Sequence, residues 1–247
     1  MKTIKTKKNL FMNAGKPFGF IWVLLFLAIS NMAYSAGGVG LNATRIIYME
    51  GQDSTSIGAK NNTDINYLAK FIVSKSVDGN KSDAPFMVTP PLVKVDSKKT
   101  QEVKIYAQSS SLPKDKESVF YFSATMIPAT NGPLNSSALN IGYNNVIKLF
   151  YRPSNLSMSP KEAHQQLQIK SSSTGISVIN NSPYYISLNK LEVNGVNVEL
   201  SMKKRNTMIS PFDSFNYIVP INGRKGIAKW VVINDLGGED AYTNQVN

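Results

Sequence analysis

The feature that most constrains this chain is a recurring unit of strand length. Short runs of β-branched and aromatic residues are separated by Gly, Asn, Pro and Ser turns. "TRIIYM", "INYLAKFIVSK", "PFMVTPPLVKV", "QEVKIYAQ", "SVFYFSATMI" and "LNIGYNNVIKLFYR" form one series. "LQIK", "GISVIN", "YYISLNKLEVNGVNVEL", "SFNYIVP" and "IAKWVVIND" form a second. In "LEVNGVNVEL", Leu191, Val193, Val196, Val198 and Leu200 flank Asn194-Gly195, the dipeptide best suited to a two-residue type I′ hairpin. No internal repeat and no amphipathic helix is present, and the one helical turn expected is "SPKEAHQQ", with Ser159 as cap and Pro160 in first position. The break "RPSNLSMSPKE" reads as a linker between two sandwiches, with the boundary near Pro153 to Ser159. The expected class is all-β.

The N-terminus reads as a secretory signal. Lys2, Lys5, Lys7, Lys8 and Lys16 precede the apolar run "FGFIWVLLFLAI", no acidic residue occurs before Glu50, and the run is too short to span a bilayer. Ala33 and Ser35 occupy the small-residue positions of a cleavage site, which sets a signal peptide over 1–35. Removing those five lysines takes the basic residues from 27 to 22 against 16 acids, a net charge of about +6 instead of +11. The remaining cations are scattered in turns, where they keep sheet edges from sticking, so neither a nucleic-acid partner nor membrane insertion is expected.

Two absences narrow the chemistry. Without cysteine there is no disulfide, thiol nucleophile or thiolate metal site. The single histidine, His164, lies in the polar stretch "KEAHQQLQ" and reads as solvated. Asp235, Glu239 and Asp240 form an acidic cluster whose spacing matches no standard calcium loop. No catalytic residue, metal site or cofactor is expected.

In chain order, "TRIIY", "TPPLVKV", "ESVFYFSATMIP", "IKLFYRP", "NSPYYISL", "ISPFDSF" and "VINDLGG" resemble the PapD-like periplasmic pilus chaperones, over nearly the whole mature chain. "KLFYRP" following "ESVFYF" at this distance is the specific part. The resemblance implies two immunoglobulin-like sandwiches in an L-shaped pair: an N-terminal chaperone domain with a donor strand over 36–154 and a C-terminal domain over 155–247. It implies a periplasmic protein that binds fimbrial subunits by donor-strand complementation and delivers them to an outer-membrane usher. The connection from Pro128 to Leu139 is short and the cysteine pair of some members is missing, which resembles the short-loop branch.

Leu139, Ile141, Tyr143 and Ile147 recur with period two, with Asn140, Gly142 and Asn144 between them and Asn145 interrupting the row. From the residues alone this row serves either its own core or a partner; the resemblance assigns Leu139, Ile141 and Tyr143 to subunit pockets. It also implies that Arg45 and Lys148 grip the subunit's C-terminal carboxylate, and that Arg152 joins Glu117 and Asp235 in an interdomain salt-bridge network. Two other readings compete. A fimbrial or adhesin structural subunit would be one incomplete sandwich, whereas this sequence supplies two strand series. A hydrolase would need His164 beside a nucleophile and an acid, and no "GxSxG" elbow is present.

Overall fold

The computed structural model describes residues 37–79, 83–108, 112–129 and 141–246. The expected signal segment and Leu139 lie outside the described residues.

The protein is all-β, built as two successive immunoglobulin-like sandwiches. The first contains β1 (Val39–Leu41), β2 (Arg45–Met49), β3 (Thr55–Asn61), β4 (Tyr67–Ser74), β5 (Phe86–Thr89), β6 (Leu92–Val95), β7 (Thr100–Ala107), β8 (Ser118–Pro128) and β9 (Tyr143–Arg152). One sheet has the order β1-β3-β7-β5 and the facing sheet β2-β9-β8-β4-β6. Alternation decides what lies between them. Phe120, Phe122, Ala124 and Met126 of β8 point inward against Phe71 and Val73 of β4 and Val103 and Ile105 of β7.

The run "PFMVTPPLVKV" is not one strand. Pro90-Pro91 supplies no N–H to a ladder, and the chain changes sheets there, β5 pairing with β7 and β6 with β4.

The second sandwich contains the short helix α1 (Pro160–Gln165), then β10 (Gln168–Ser171), β11 (Gly175–Asn180), β12 (Ile186–Val193), β13 (Val196–Asn197), β14 (Met208–Ile209), β15 (Asp213–Ile218), β16 (Ile227–Ile233) and β17 (Glu239–Gln245). Sheet β10-β11-β15 faces sheet β13-β12-β16-β17, with β14 also pairing β12. Ser159 caps α1 through a reciprocal capping box with Glu162, and Pro160 opens the helix. Asn194 and Gly195 both take positive φ at the tip of the β12–β13 hairpin, as a type I′ turn demands.

Each sandwich is pinned by a buried asparagine at an equivalent place. Asn61 Nδ2 donates to the carbonyls of Ile65, Val95 and Asp96 while its Oδ1 accepts from Thr63. Asn180 Nδ2 donates to the carbonyls of Tyr184, Ile209 and Ser210 while its Oδ1 accepts from Ser182. In both, one amide closes a loop whose backbone groups have no ladder partner.

His164 departs from the sequence expectation. It is 5% exposed, and its carbonyl accepts a 3.0 Å bond from Nε1 of the core residue Trp230. The hydrophilic neighbours Lys161, Glu162, Gln165 and Gln166 occupy the other faces of α1, so local polarity misreported the inward side. Burial pulls the imidazole below its usual range and keeps it neutral, although Asp235 and Asp240 act in the opposite direction.

Candidate binding cleft

The cleft is organised by one parallel strand pair. β2 runs beside the second half of β9, with Arg45 opposite Lys148, Ile47 opposite Phe150 and Met49 opposite Arg152. Ile46, Tyr48 and Leu149 face the core of the first sandwich. Alternation therefore sends Arg45, Lys148, Phe150 and Arg152 to the outer face, where the second sandwich meets it. Phe150 packs against Tyr185 with ring centroids 6.0 Å apart.

Arg152 joins the two sandwiches. Its Nε donates to Glu117 Oε1 at 2.7 Å, and its two terminal nitrogens donate to both oxygens of Asp235 at 2.6 and 2.8 Å. Its guanidinium also lies over the Tyr184 ring, 5.0 Å from the centroid. Glu117 accepts a further 2.8 Å bond from the Tyr185 amide and is almost fully buried. Burial pushes the Glu117 carboxyl above its usual range, while the charge and hydrogen bond of Arg152 and the Tyr185 amide act downward. Burial also acts upward on Asp235, where the bidentate bonds and charge of Arg152 prevail and hold it below the usual carboxylate range. A guanidinium suits this position because its planar fork serves two carboxylates at once.

Arg45 and Lys148 differ in having no acid of their own. Among the described residues, neither forms an ion pair within 4.0 Å. Arg45 Nη1 donates to the Ile233 carbonyl at 2.7 Å, while its buried Nε has no partner. Lys148 Nζ meets only Ser187 Oγ, at 3.3 Å. Both line a cleft of about 300 Å³ whose walls include Tyr121, Ile147, Met202, Ile233 and Gly237. Burial first, and the charge of Arg45 second, pull Lys148 down to about 8. Such a pair presents two positive charges side by side, and a carboxylate fits both its charge and its hydrogen-bonding capacity.

The first half of β9 leads away from this cleft with one edge open. Tyr143–Tyr151 pairs antiparallel with Ser118–Met126 of β8, but β2 covers only Lys148–Arg152. Among the described residues, no strand pairs the other edge of Tyr143–Ile147. The period-two row divides along its length. Ile147 and Leu149 pack into the sandwich, whereas Tyr143 is 52% exposed and Ile141, just before the strand, is 57% exposed.

Sequence reasoning assigned no role to Ser187, the Ile233 carbonyl, Tyr184 or Tyr185, although "NSPYYISL" and "VINDLGG" contain all four residues. It also missed why Gly237 stands where it does. Gly237 has φ +81°, and a Cβ there would collide with Thr44 Oγ1, one residue from Arg45.

Two sandwiches joined by a buried arginine, with a cationic cleft at the foot of a half-paired strand, define a two-domain immunoglobulin-like protein suited to binding another chain. Family profiles agree over both halves: "Pili and flagellar-assembly chaperone, PapD N-terminal domain" matches residues 38–157 and "Pili assembly chaperone PapD, C-terminal domain" matches 162–244. The chain belongs to the PapD family of pilus-assembly chaperones. It is 34% identical over 222 residues to the probable fimbrial chaperone protein ElfD of Escherichia coli O157:H7, covering 90% of this chain and 92% of that one. The periplasmic chaperone SfaE superposes with a TM-score of 0.69 at 30% identity, covering 85% of this chain and 99% of its own. A TM-score of 0.73 at 26% identity relates it to a chain of the Salmonella enterica complex of SafA pilin with the SafB chaperone, over 85% and 96% of the two chains.

Proposed function

We propose that this protein is exported to the periplasm, captures pilus subunits by donor-strand complementation and passes them to an outer-membrane usher. A subunit of this kind is a sandwich short of one strand, exposing an apolar groove and two unpaired edges that would otherwise aggregate. The open edge of β9 offers hydrogen bonds, and Ile141 and Tyr143, with Leu139 preceding them, offer side chains for the groove. Arg45 and Lys148 hold the subunit's terminal carboxylate, and fixing that end sets the register of the added strand. Glu117, Arg152 and Asp235 keep the two sandwiches in the relation that forms the cleft. The work is binding, with no chemical step.

The observation that carries this reading is that the open half of β9 runs directly to Arg45 and Lys148, adjacent cations with no acidic partner within 4.0 Å among the described residues. Co-expressing the chain with a candidate subunit and recovering it from a periplasmic extract tests it. The two should co-purify, the recovered chaperone should begin at Ala36 or one residue later, and a subunit trimmed of its last residues should not be retained. Intact chain confined to the cytoplasm, or equal retention of the trimmed subunit, would overturn the reading.

A further inference from the structure

Arg45 and Lys148 line one cleft, where burial disfavours both charges and Arg45 further disfavours that of Lys148. Arg45 and Lys148 are direct register partners on adjacent strands, so their side chains leave the sheet on the same face, and both line the same cleft. Lys148 has one neutral contact, the Ser187 hydroxyl. The groups facing it come from every wall. β2 supplies Arg45, β8 supplies the Tyr121 phenol, and β17 supplies Glu239, whose carboxylate accepts from Asn189. Arg205 acts on Tyr121, while Asp235 and Glu117 act on Arg45. Arginine keeps its proton throughout the accessible pH range, so the strain of two neighbouring cations can be relieved only at the lysine.

We propose that carboxylate capture in this cleft is coupled to uptake of a proton by Lys148, so that the chaperone's grip weakens as pH rises above neutrality. The inference rests on the carboxylate-anchor reading and adds regulation to it. A carboxylate between the two cations reverses the local field: it attracts the ammonium where Arg45 alone repels it, and so raises the lysine's affinity for its proton. The sign follows directly. Lys148 in the free protein titrates near 8 and in the complex stays charged to higher pH. Below about pH 7 the proton is already present and affinity is flat. Above about 8 each bound carboxylate must recruit a proton, so affinity falls by up to about tenfold per pH unit until the complex itself titrates.

The experiment uses the mature chain and an N-acetylated synthetic peptide of alternating leucines ending in a free carboxylate, with its C-terminal amide as control. Calorimetry in two buffers of different ionisation enthalpy should show affinity falling about tenfold from pH 7 to pH 9, with close to one proton taken up at pH 9 and almost none at pH 6.5. Lysine side-chain NMR of the free protein, with Lys148 identified by its loss in Lys148→Arg, should place its midpoint near 8. The guanidinium of Lys148→Arg should remove the proton uptake at pH 9. A Lys148 that titrates like an exposed lysine, or carboxylate affinity that is flat from pH 7 to pH 9, overturns the coupling. If carboxylate and amide peptides bind equally at pH 7, or neither binds, the anchor reading itself fails and the coupling with it.

Discussion

Arg45 and Lys148 stand opposite one another in parallel register on β2 and β9, two cations with no acid of their own among the described residues. On the proposed reading, an arrangement that is unfavourable in the free protein is a preorganised receptor for the subunit's carboxylate. Removing either partner should cost capture about 2–5 kcal/mol, roughly 30-fold to a few thousand-fold in affinity. Because both would hold one carboxylate, Arg45→Ala with Lys148→Ala should cost less than the sum of the singles. Stability should move the other way: Lys148→Met removes a desolvated charge from beside Arg45, so the free protein should melt no lower than the natural one. Subunit affinities for all variants, with thermal melts alongside, decide both points. A Lys148→Met protein that melts several degrees lower would make the lysine part of the scaffold.

Arg152 should behave in the opposite sense. Arg152→Ala strands Glu117, which is nearly inaccessible, together with Asp235, and should cost about 3–5 kcal/mol. Asp235→Asn should cost less, because that side chain is 37% exposed and water can replace part of the lost bond. Denaturant unfolding of the two variants should therefore rank Arg152→Ala well below Asp235→Asn. Equal midpoints would mean that the network adds nothing beyond surface pairing.

The two halves of β9 predict different consequences for the same substitution. Ile141→Glu and Tyr143→Glu place a charge on exposed positions, so the free chaperone should unfold at its usual midpoint. Each should abolish capture by burying an unpaired carboxylate in the subunit groove. Leu149→Glu, at a position with no exposure, should fail to fold. If Ile141→Glu lowers the midpoint as Leu149→Glu does, the whole row belongs to the core of the first sandwich.

The sequence made the two strand series, the Asn194-Gly195 hairpin and the capped turn at Ser159 legible because each rests on local chemistry: alternation, a φ > 0 dipeptide, and a capping box. It did not reveal β1, β3, β14 or β17. β3 carries Gly58 and Ala59 where a strand usually shows larger residues, and β17 is a polar edge with only Tyr242 packing inward. Their pairing comes from neighbouring strands, which no local window contains. At the site, the acids of Arg152 lie 35 and 83 residues away along the chain and only the family resemblance brought them together. The partners of Arg45 and Lys148 are a backbone carbonyl and a serine hydroxyl, groups too common for a sequence pattern to single out.

Gly237 offers a test of how the second sandwich shapes the cleft. Its φ of +81° disfavours any residue with a Cβ by about 1–2 kcal/mol, and that Cβ would also run into Thr44 Oγ1 beside Arg45. Gly237→Ala should therefore leave both cores folded, lower the melting temperature modestly and weaken subunit capture by displacing Arg45 from the Ile233 carbonyl. The two causes can be separated. Thr44→Gly deletes the atom in the way and leaves the backbone strain at position 237 untouched. The double variant should regain most of the lost affinity but only part of the lost stability. Affinity that stays low in the double variant would place the defect in the backbone of the loop after β16 rather than in the contact between Thr44 and Gly237.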